Sequence, residues 1–339
     1  MRLNMVYRRN TAIFLLSVFL FLSFQLFARG RSESVSPHSS GEDSGLDVPG
    51  IYGQEEDAPP SGSAGNMENT PPSRGEQVMK ALAAAYPEAI GGAEYRDGDW
   101  AVRLRGVWYY YAGGRLLTGE FRSRSGEYDP QPFYNYPENL PPWREPSQED
   151  AERFRSMARS RRSTPGKRAQ FFFDDLWRSH DRAESYERVK SLRFLGHSVL
   201  VHYSILEELS LVEEKILAEA KTSAEVRRWI DSLETLTGWN WRTIADTQSR
   251  SFHAYGAAID LLPRSLGGME TYWLWTAERS PEWWAVPYSR RFHPPEAVIK
   301  AFENYGFVWG GKWTFFDTMH FEYRPELLLL GGLSIEAHR

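Results

Sequence analysis

SFHAYGAAIDLLP, residues 251–263, decides the fold, because it sets a histidine and an aspartate seven residues apart with a glycine between them. Side chains seven apart on an unbroken strand point to opposite faces, so His253 and Asp260 can act together only if the chain bends between them. Gly256 supplies that bend, and Ala257 and Ala258 leave room beside it. Ile259, Leu261 and Leu262 then read as the buried neighbours of a strand that delivers Asp260. Pro263 ends the strand, since it has no N–H to give to a sheet ladder.

A second string, DTMHFEY at 317–323, follows a legible helix and turn. Pro294 and Pro295 before Glu296 form a helix start, Val298, Phe302 and Tyr305 make an apolar stripe, and Gly306 is placed as a C-cap. FVWGGKWTFF then reads as strand, glycine turn and strand, ending at Asp317. In an extended MHFEY, His320 and Glu322 share a face, whereas Asp317 reaches that face only through a turn at Thr318. Spacing alone therefore favours Glu322 as the carboxylate on the metal side. Zinc in hydrolases is held by three nitrogen or oxygen ligands, with a fourth position left to water. His253, Asp260 and His320 supply three such donors.

The chain has no cysteine, which excludes disulfides, thiolate ligands and a lipid-bearing cysteine anchor. A metal here must be bound by imidazole and carboxylate. The net charge of -5 gives no sign of nucleic-acid binding. Thirteen tryptophans are many for 339 residues; some are expected to line a core and some a cleft.

SxHxxGxAxD followed some sixty residues later by DxxHFE resembles the signature of the D-alanyl-D-alanine carboxypeptidase family of zinc metallopeptidases. The resemblance is to the VanY and VanX type and to the related L-alanyl-D-glutamate peptidases. It is carried by Ser251, His253, Gly256, Ala258, Asp260, Asp317, His320, Phe321 and Glu322. It implies Zn2+ on His253, Asp260 and His320, with Asp317 as general base, and on this point overrides the strand argument for Glu322. Glu322 becomes the partner that orients His320. Arg242 matches an arginine that related members carry in a cleft-lining strand, where it would stabilise an oxyanion. Ser251 is assigned to substrate or to a zinc ligand, and Trp313 to substrate. VanX-type members have glutamate where this chain has Asp317, which points to the VanY-like and L-alanyl-D-glutamate branch.

Helices first and strands later suggest an α+β domain, with helices packed on one face of a small mostly antiparallel sheet that carries the zinc, a topology that Hedgehog domains share with the peptidases it resembles. The resemblance implies peptidoglycan stem peptides as substrate and D-alanyl-D-alanine carboxypeptidase as activity. The alternatives are an L-alanyl-D-glutamate endopeptidase and a catalytically silent wall-binding protein of the same fold. Arg250 and Lys312 are candidates to hold a terminal carboxylate. The tryptophan-rich insertion at 264–293 is expected to shape the cleft wall.

The rest of the chain sets the context. Arg2, Arg8 and Arg9 precede an apolar run from Thr11 to Phe27, so residues 1–28 read as a signal peptide or an N-terminal anchor. This predicts export to the periplasm or cell envelope, with membrane contact only through that segment. Residues 29–75 are rich in Ser, Gly, Pro and acidic residues and read as a disordered linker. Residues 76–146 form a small α/β accessory region: a helix, two strands around a turn in DWAVRLRGVWYYYAGGRLL, and a Pro-rich stretch. There, Trp108, Tyr109, Tyr110 and Tyr111 are read as core rather than a sugar platform. Residues 147–330 form the catalytic domain, mainly helical up to 237, and 331–339 are a tail. Helices are expected over 203–220, burying Leu206, Leu209, Val212, Ile216 and Leu217, and over 223–236, closed by Gly238. His38, His180 and His338 are read as solvated, and His197, His202 and His293 as structural.

Overall fold

Helix α1 (Arg74–Ala85) starts where Ser73 accepts a hydrogen bond from the Glu76 amide, and it buries Val78, Met79 and Leu82 on one side. The computed structural model describes residues 71–336. The segment 1–28, the linker up to residue 70, His38 and His338 lie outside the described residues. Strands β1 (Ile90–Arg96), β2 (Asp99–Leu104), β3 (Val107–Tyr110) and β4 (Leu117–Thr118) follow as an antiparallel meander. Asp97–Gly98 and Arg105–Gly106 join the first three strands by two-residue turns with positive φ, which suit the twist of the flanking strands. Two of these four strands were expected. IGGAEYR, with its two glycines, lacks the alternation that marks β1. Tyr109 and Tyr110 are buried, as a core reading requires, while Trp108 lies half-buried beneath the Arg96 guanidinium, 4.1 Å away.

After an extended stretch, a Ser147–Asp150 capping box opens α2 (Gln148–Ser163). Helices α3 (Phe171–Trp177) and α4 (Arg182–Arg188) lead into a hairpin of β5 (Val189–Phe194) and β6 (His197–His202). Helix α5 (Leu206–Ala220) buries Leu209, Val212 and Ile216, but Leu217 is 45% exposed, one residue outside the apolar stripe. Ser223 caps α6 (Ala224–Ser232). The helix expected to reach residue 236 stops there, and Leu233–Thr237 becomes β7, paired with the strand carrying Asp260. Gly238 therefore follows a strand rather than closing a helix.

The central sheet has the order β7–β8–β10–β9, antiparallel throughout, with β8 (Ala258–Pro263), β9 (Phe307–Trp309) and β10 (His320–Tyr323). A single helical turn, α7 (Phe252–Tyr255), precedes β8, and α8 (Trp273–Arg279) lies in the tryptophan-rich insertion. Helix α9 (Glu296–Asn304) begins after Pro295 as expected and packs on α5 and β9. The second strand expected after the Gly310–Gly311 turn does not form. Gly310–Lys312 is a 3-10 turn, and the Asp317 amide folds back onto the Gly310 carbonyl. Helix α10 (Pro325–Leu330) ends the sequence of elements. Beyond it, Glu336 of the expected tail accepts hydrogen bonds from Lys215, Asn304 and Tyr305.

The sheet has two unlike faces. Ile259, Leu261 and Phe321 are fully buried in the main core, where Phe302 of α9 stacks on Phe321 with ring centroids 4.0 Å apart. Asp260, Leu262, His320 and Glu322 alternate with them and face the other way. The protein is α+β. The same core runs on through α1 and β1–β3 to α3 and α5, so residues 74–118 have their own sheet without a core of their own.

Candidate metal centre

Strand register builds most of the site. Asp260 on β8 pairs with Thr237 on β7 and with His320 on β10, so three neighbouring strands present these residues side by side. His253 arrives differently. Ser251 caps α7 by accepting the His253 amide at 3.3 Å, and Gly256, at φ 73, ends the turn and sends the chain back into β8. The bend required between His253 and Asp260 is this helical turn closed by a left-handed glycine.

Three donor atoms converge. Asp260 Oδ1 lies 2.8 Å from His320 Nδ1 and 3.2 Å from His253 Nε2, and the two nitrogens are 3.2 Å apart. Ligands of a tetrahedral zinc at its usual bond lengths sit about 3.3 Å from one another, so the spacing fits such an ion. Each imidazole has its other nitrogen engaged. His253 Nδ1–H donates to the Gly238 carbonyl at 2.6 Å, and His320 Nε2–H donates to Glu322 at 3.3 Å. In the neutral imidazoles those two bonds select the tautomers that leave His253 Nε2 and His320 Nδ1 with lone pairs directed at the shared point. Thr237 donates to the second oxygen of Asp260 at 3.3 Å.

The electrostatics favour a cation at that point. Burial opposes charge on His320, yet hydrogen bonds to Asp260 and Glu322 push its imidazole up to about 10. Burial likewise acts to raise Asp260, but the two imidazoles hold it well below the ordinary carboxylate range. Among the described residues, His253, Asp260 and His320 form the group able to hold a metal ion.

Asp317 stands beside this group without joining it. Burial, aided by the Asp260 charge, pushes its carboxyl up to about 7 against the pull of His320 and Arg242. Its Oδ1 is buried and accepts no hydrogen bond. A buried carboxyl oxygen without a partner is uncommon, and this one lies within electrostatic reach of His320 and Asp260. Glu322 occupies the opposite side of His320, between that imidazole and Arg324, which donates to it at 3.3 Å.

The remaining candidates fall as follows. Arg242 is exposed and its charge reaches Asp317 and Tyr272, but it lies in a loop rather than the expected strand, next to the isolated Thr243–Arg250 bridge. Trp313 has its ring 5.4 Å from that of His320, and its indole N–H donates to the Tyr134 hydroxyl at 2.6 Å. Arg250 is paired with Asp174 and donates to the Ser179 carbonyl, and Lys312 is buried against Glu303 and the carbonyls of Pro137 and Glu138. Neither of these cations is presented to the metal group. Sequence reasoning missed Thr237, the Gly238 carbonyl, Arg324 and Tyr272, which pairs with Asp317 through an isolated bridge. Gly238 has a reason to be glycine: a Cβ there would meet the Leu200 carbonyl at 2.1 Å, so the close backbone approach requires it.

Fold and donor set together define an α+β protein with a candidate three-ligand metal centre of the kind peptidases use. Residues 245–323 match the family described as D-alanyl-D-alanine carboxypeptidase, in keeping with the resemblance drawn from the sequence. That segment contains all three candidate ligands together with Ser251, Asp317 and Glu322, and begins after Arg242. Residues 78–133 match a family described as a domain of unknown function. No curated protein and no solved structure matches the chain. Among the described residues no helix is long and apolar enough to cross a membrane.

Proposed function

We propose that this protein is an exported zinc peptidase that hydrolyses peptidoglycan stem peptides, with VanY-like D-alanyl-D-alanine carboxypeptidase as its reaction. One observation carries the reading: three donor atoms within 4.8 Å of one another, with both imidazole tautomers fixed toward them, inside a segment that matches a peptidase family. His253 Nε2, Asp260 Oδ1 and His320 Nδ1 are the ligands. Zinc held there supplies Lewis acidity and brings a water pKa toward about 7.

The chain's own residues do the rest. Asp317, poised near neutrality by burial, takes the proton of the water that attacks the scissile carbonyl carbon. As the C–N bond breaks, the same carboxyl returns that proton to the leaving amine. Arg242 supplies positive charge for the carbonyl oxygen as it becomes anionic. Glu322 holds His320 by its Nε2–H, and Gly238 holds His253 by its Nδ1–H. Trp313 forms a wall against His320 on which substrate packs. No serine nucleophile is needed.

Commitment of Arg250 and Lys312 to internal partners supports a second reading, the L-alanyl-D-glutamate endopeptidase, which does not need a clamp for a terminal carboxylate. Metal analysis and digestion of purified muropeptides separate the readings. Loss of one alanine from a pentapeptide identifies the carboxypeptidase, and release of the stem beyond L-Ala identifies the endopeptidase. His253→Ala is expected to remove zinc uptake and hydrolysis together. Full hydrolysis by metal-stripped protein, or wild-type protein with neither zinc nor cleavage, would sink the scheme, the second result leaving a silent wall-binding protein.

A further inference from the structure

Glu322, which takes the Nε2–H of His320, is one end of a buried polar chain that leaves the metal centre and reaches the opposite end of the sequence. Arg324 Nη1 donates to Glu322 at 3.3 Å, and Arg324 Nε donates to Glu326. The other oxygen of Glu326 accepts the Tyr86 hydroxyl at 2.9 Å. Arg324 is 1% exposed and Glu326 fully buried, so water is not on hand to replace a lost partner in this chain. Tyr86 caps the C-terminus of α1, and its ring meets Trp177 and Tyr323 edge to face at 6.3 Å each. It belongs to the segment that matches a domain of unknown function. His320 is braced a second time from the same direction: Tyr134, one residue past that match, holds the indole of Trp313 against the His320 ring.

We propose that the 78–133 segment is a brace of the metal centre, with Tyr86 as a positioning residue that fixes His320 through Glu326, Arg324 and Glu322. Two features point to this rather than to a free-standing wall-binding module. Its strands share the main core instead of enclosing one, and its C-terminal helix residue closes a hydrogen-bonded line that ends on a candidate ligand. A ligand imidazole gains basicity and a fixed orientation from the acceptor on its other nitrogen, and that acceptor is only as well placed as its own partners make it. The inference rests on the reading of His253, Asp260 and His320 as a metal site.

The test is zinc affinity by chelator competition on the full chain, together with the visible spectrum of the Co2+ form. Glu322→Gln, which touches the ligand, is expected to weaken zinc about 10- to 100-fold, and Tyr86→Phe, three links further out, about three- to tenfold. Tyr86→Phe should also alter the Co2+ spectrum, which a loss of stability alone would not do. Tyr109→Phe is the control: its hydroxyl, in the same segment, bonds Asp175 and stands off the line, so zinc affinity and spectrum should stay at wild-type values. A Tyr86→Phe protein with wild-type affinity and spectrum, or one no different from Tyr109→Phe, overturns the brace while leaving the metal site standing. Wild-type protein that takes up neither zinc nor Co2+ overturns both.

Discussion

Gly256→Ala probes the turn that brings the first two ligands together. Gly256 has φ +73, a conformation that costs an L residue about 1–2 kcal/mol. Space is also lacking: a Cβ would lie 2.8 Å from the His202 amide nitrogen and 2.8 Å from Val189 Cγ1, with the Val201 carbonyl carbon at 3.3 Å. The Gly256 carbonyl accepts that same His202 amide at 2.8 Å, so relieving the clash stretches a hydrogen bond between α7 and β6. Overpacking of this kind adds about 1–3 kcal/mol. Together the substitution should destabilise the protein by about 2–5 kcal/mol. Gly196→Ala separates the two effects, because Gly196 has φ +85 in the β5–β6 turn and nothing within 4 Å of its Cβ position. It should lose only the backbone part, about 1–2 kcal/mol. Urea unfolding in excess chelator measures both without a contribution from bound metal. Because Gly256 follows the His253 turn directly, its alanine variant should also bind zinc more weakly, whereas the Gly196 variant should not. Equal losses of stability in the two variants would refute the argument that close approach, and not only a left-handed turn, fixes this glycine.

Two further outcomes follow from buried titratable groups. Burial, with smaller help from Arg188 and Arg105, lowers His202 to about 4, while its hydrogen bond to the Trp177 carbonyl works the other way. A folded pKa below the unfolded value means that this contribution is complete above pH 6.5 and is lost as the pH falls toward 4, about 3 kcal/mol in all. The stability–pH slope in that window should be shallower in His202→Gln by about 1.4 kcal/mol per pH unit, and parallel curves would show that His202 is not the group concerned. For Asp317, the base must be ionised, so kcat/KM should fall as the pH drops through about 7, and Asp317→Asn should lose about 10²- to 10⁴-fold in hydrolysis while taking up zinc as wild type does. An Asn variant that keeps its activity, or that fails to take up zinc, assigns Asp317 another role.

How much of this was legible in the sequence depended on how local the cause was. His253, Gly256 and Asp260 lie within one short motif, and the need for a bend followed from side-chain alternation alone. Parity also placed His320 and Glu322 on one face, which the β10 register shows. It could not show which edge of the imidazole meets Asp260, because a rotamer decides that, and His320 turns Nδ1 inward and Nε2 toward Glu322. LETLT reads as an extension of the preceding helix because leucines three apart fit a helical stripe as readily as a strand; pairing with β8 decides for the strand. In FVWGGKWTFF the alternation beyond the glycines was overruled by the Asp317-to-Gly310 backbone bond, which folds the chain into a turn and leaves Asp317 beside the site.

Least legible of all was the line from Tyr86 to His320, whose partners Tyr86 and Glu326 are 240 residues apart. Nothing in AAAYPEAI marks its tyrosine as different from the many others. The sequence around Arg324 does contain a hint, since three charged residues, Glu322, Arg324 and Glu326, alternate through a segment flanked by Phe321 and Leu327–Leu330. Glu322 lies on β10, Arg324 caps α10 and Glu326 sits in its first turn, and charges that enter an apolar interior together have to satisfy one another internally. Arg324 donates to one oxygen of each acid and His320 to the second oxygen of Glu322, which leaves one oxygen of Glu326 over. The hydroxyl that meets it had to come from elsewhere in the fold, and α1 supplies it.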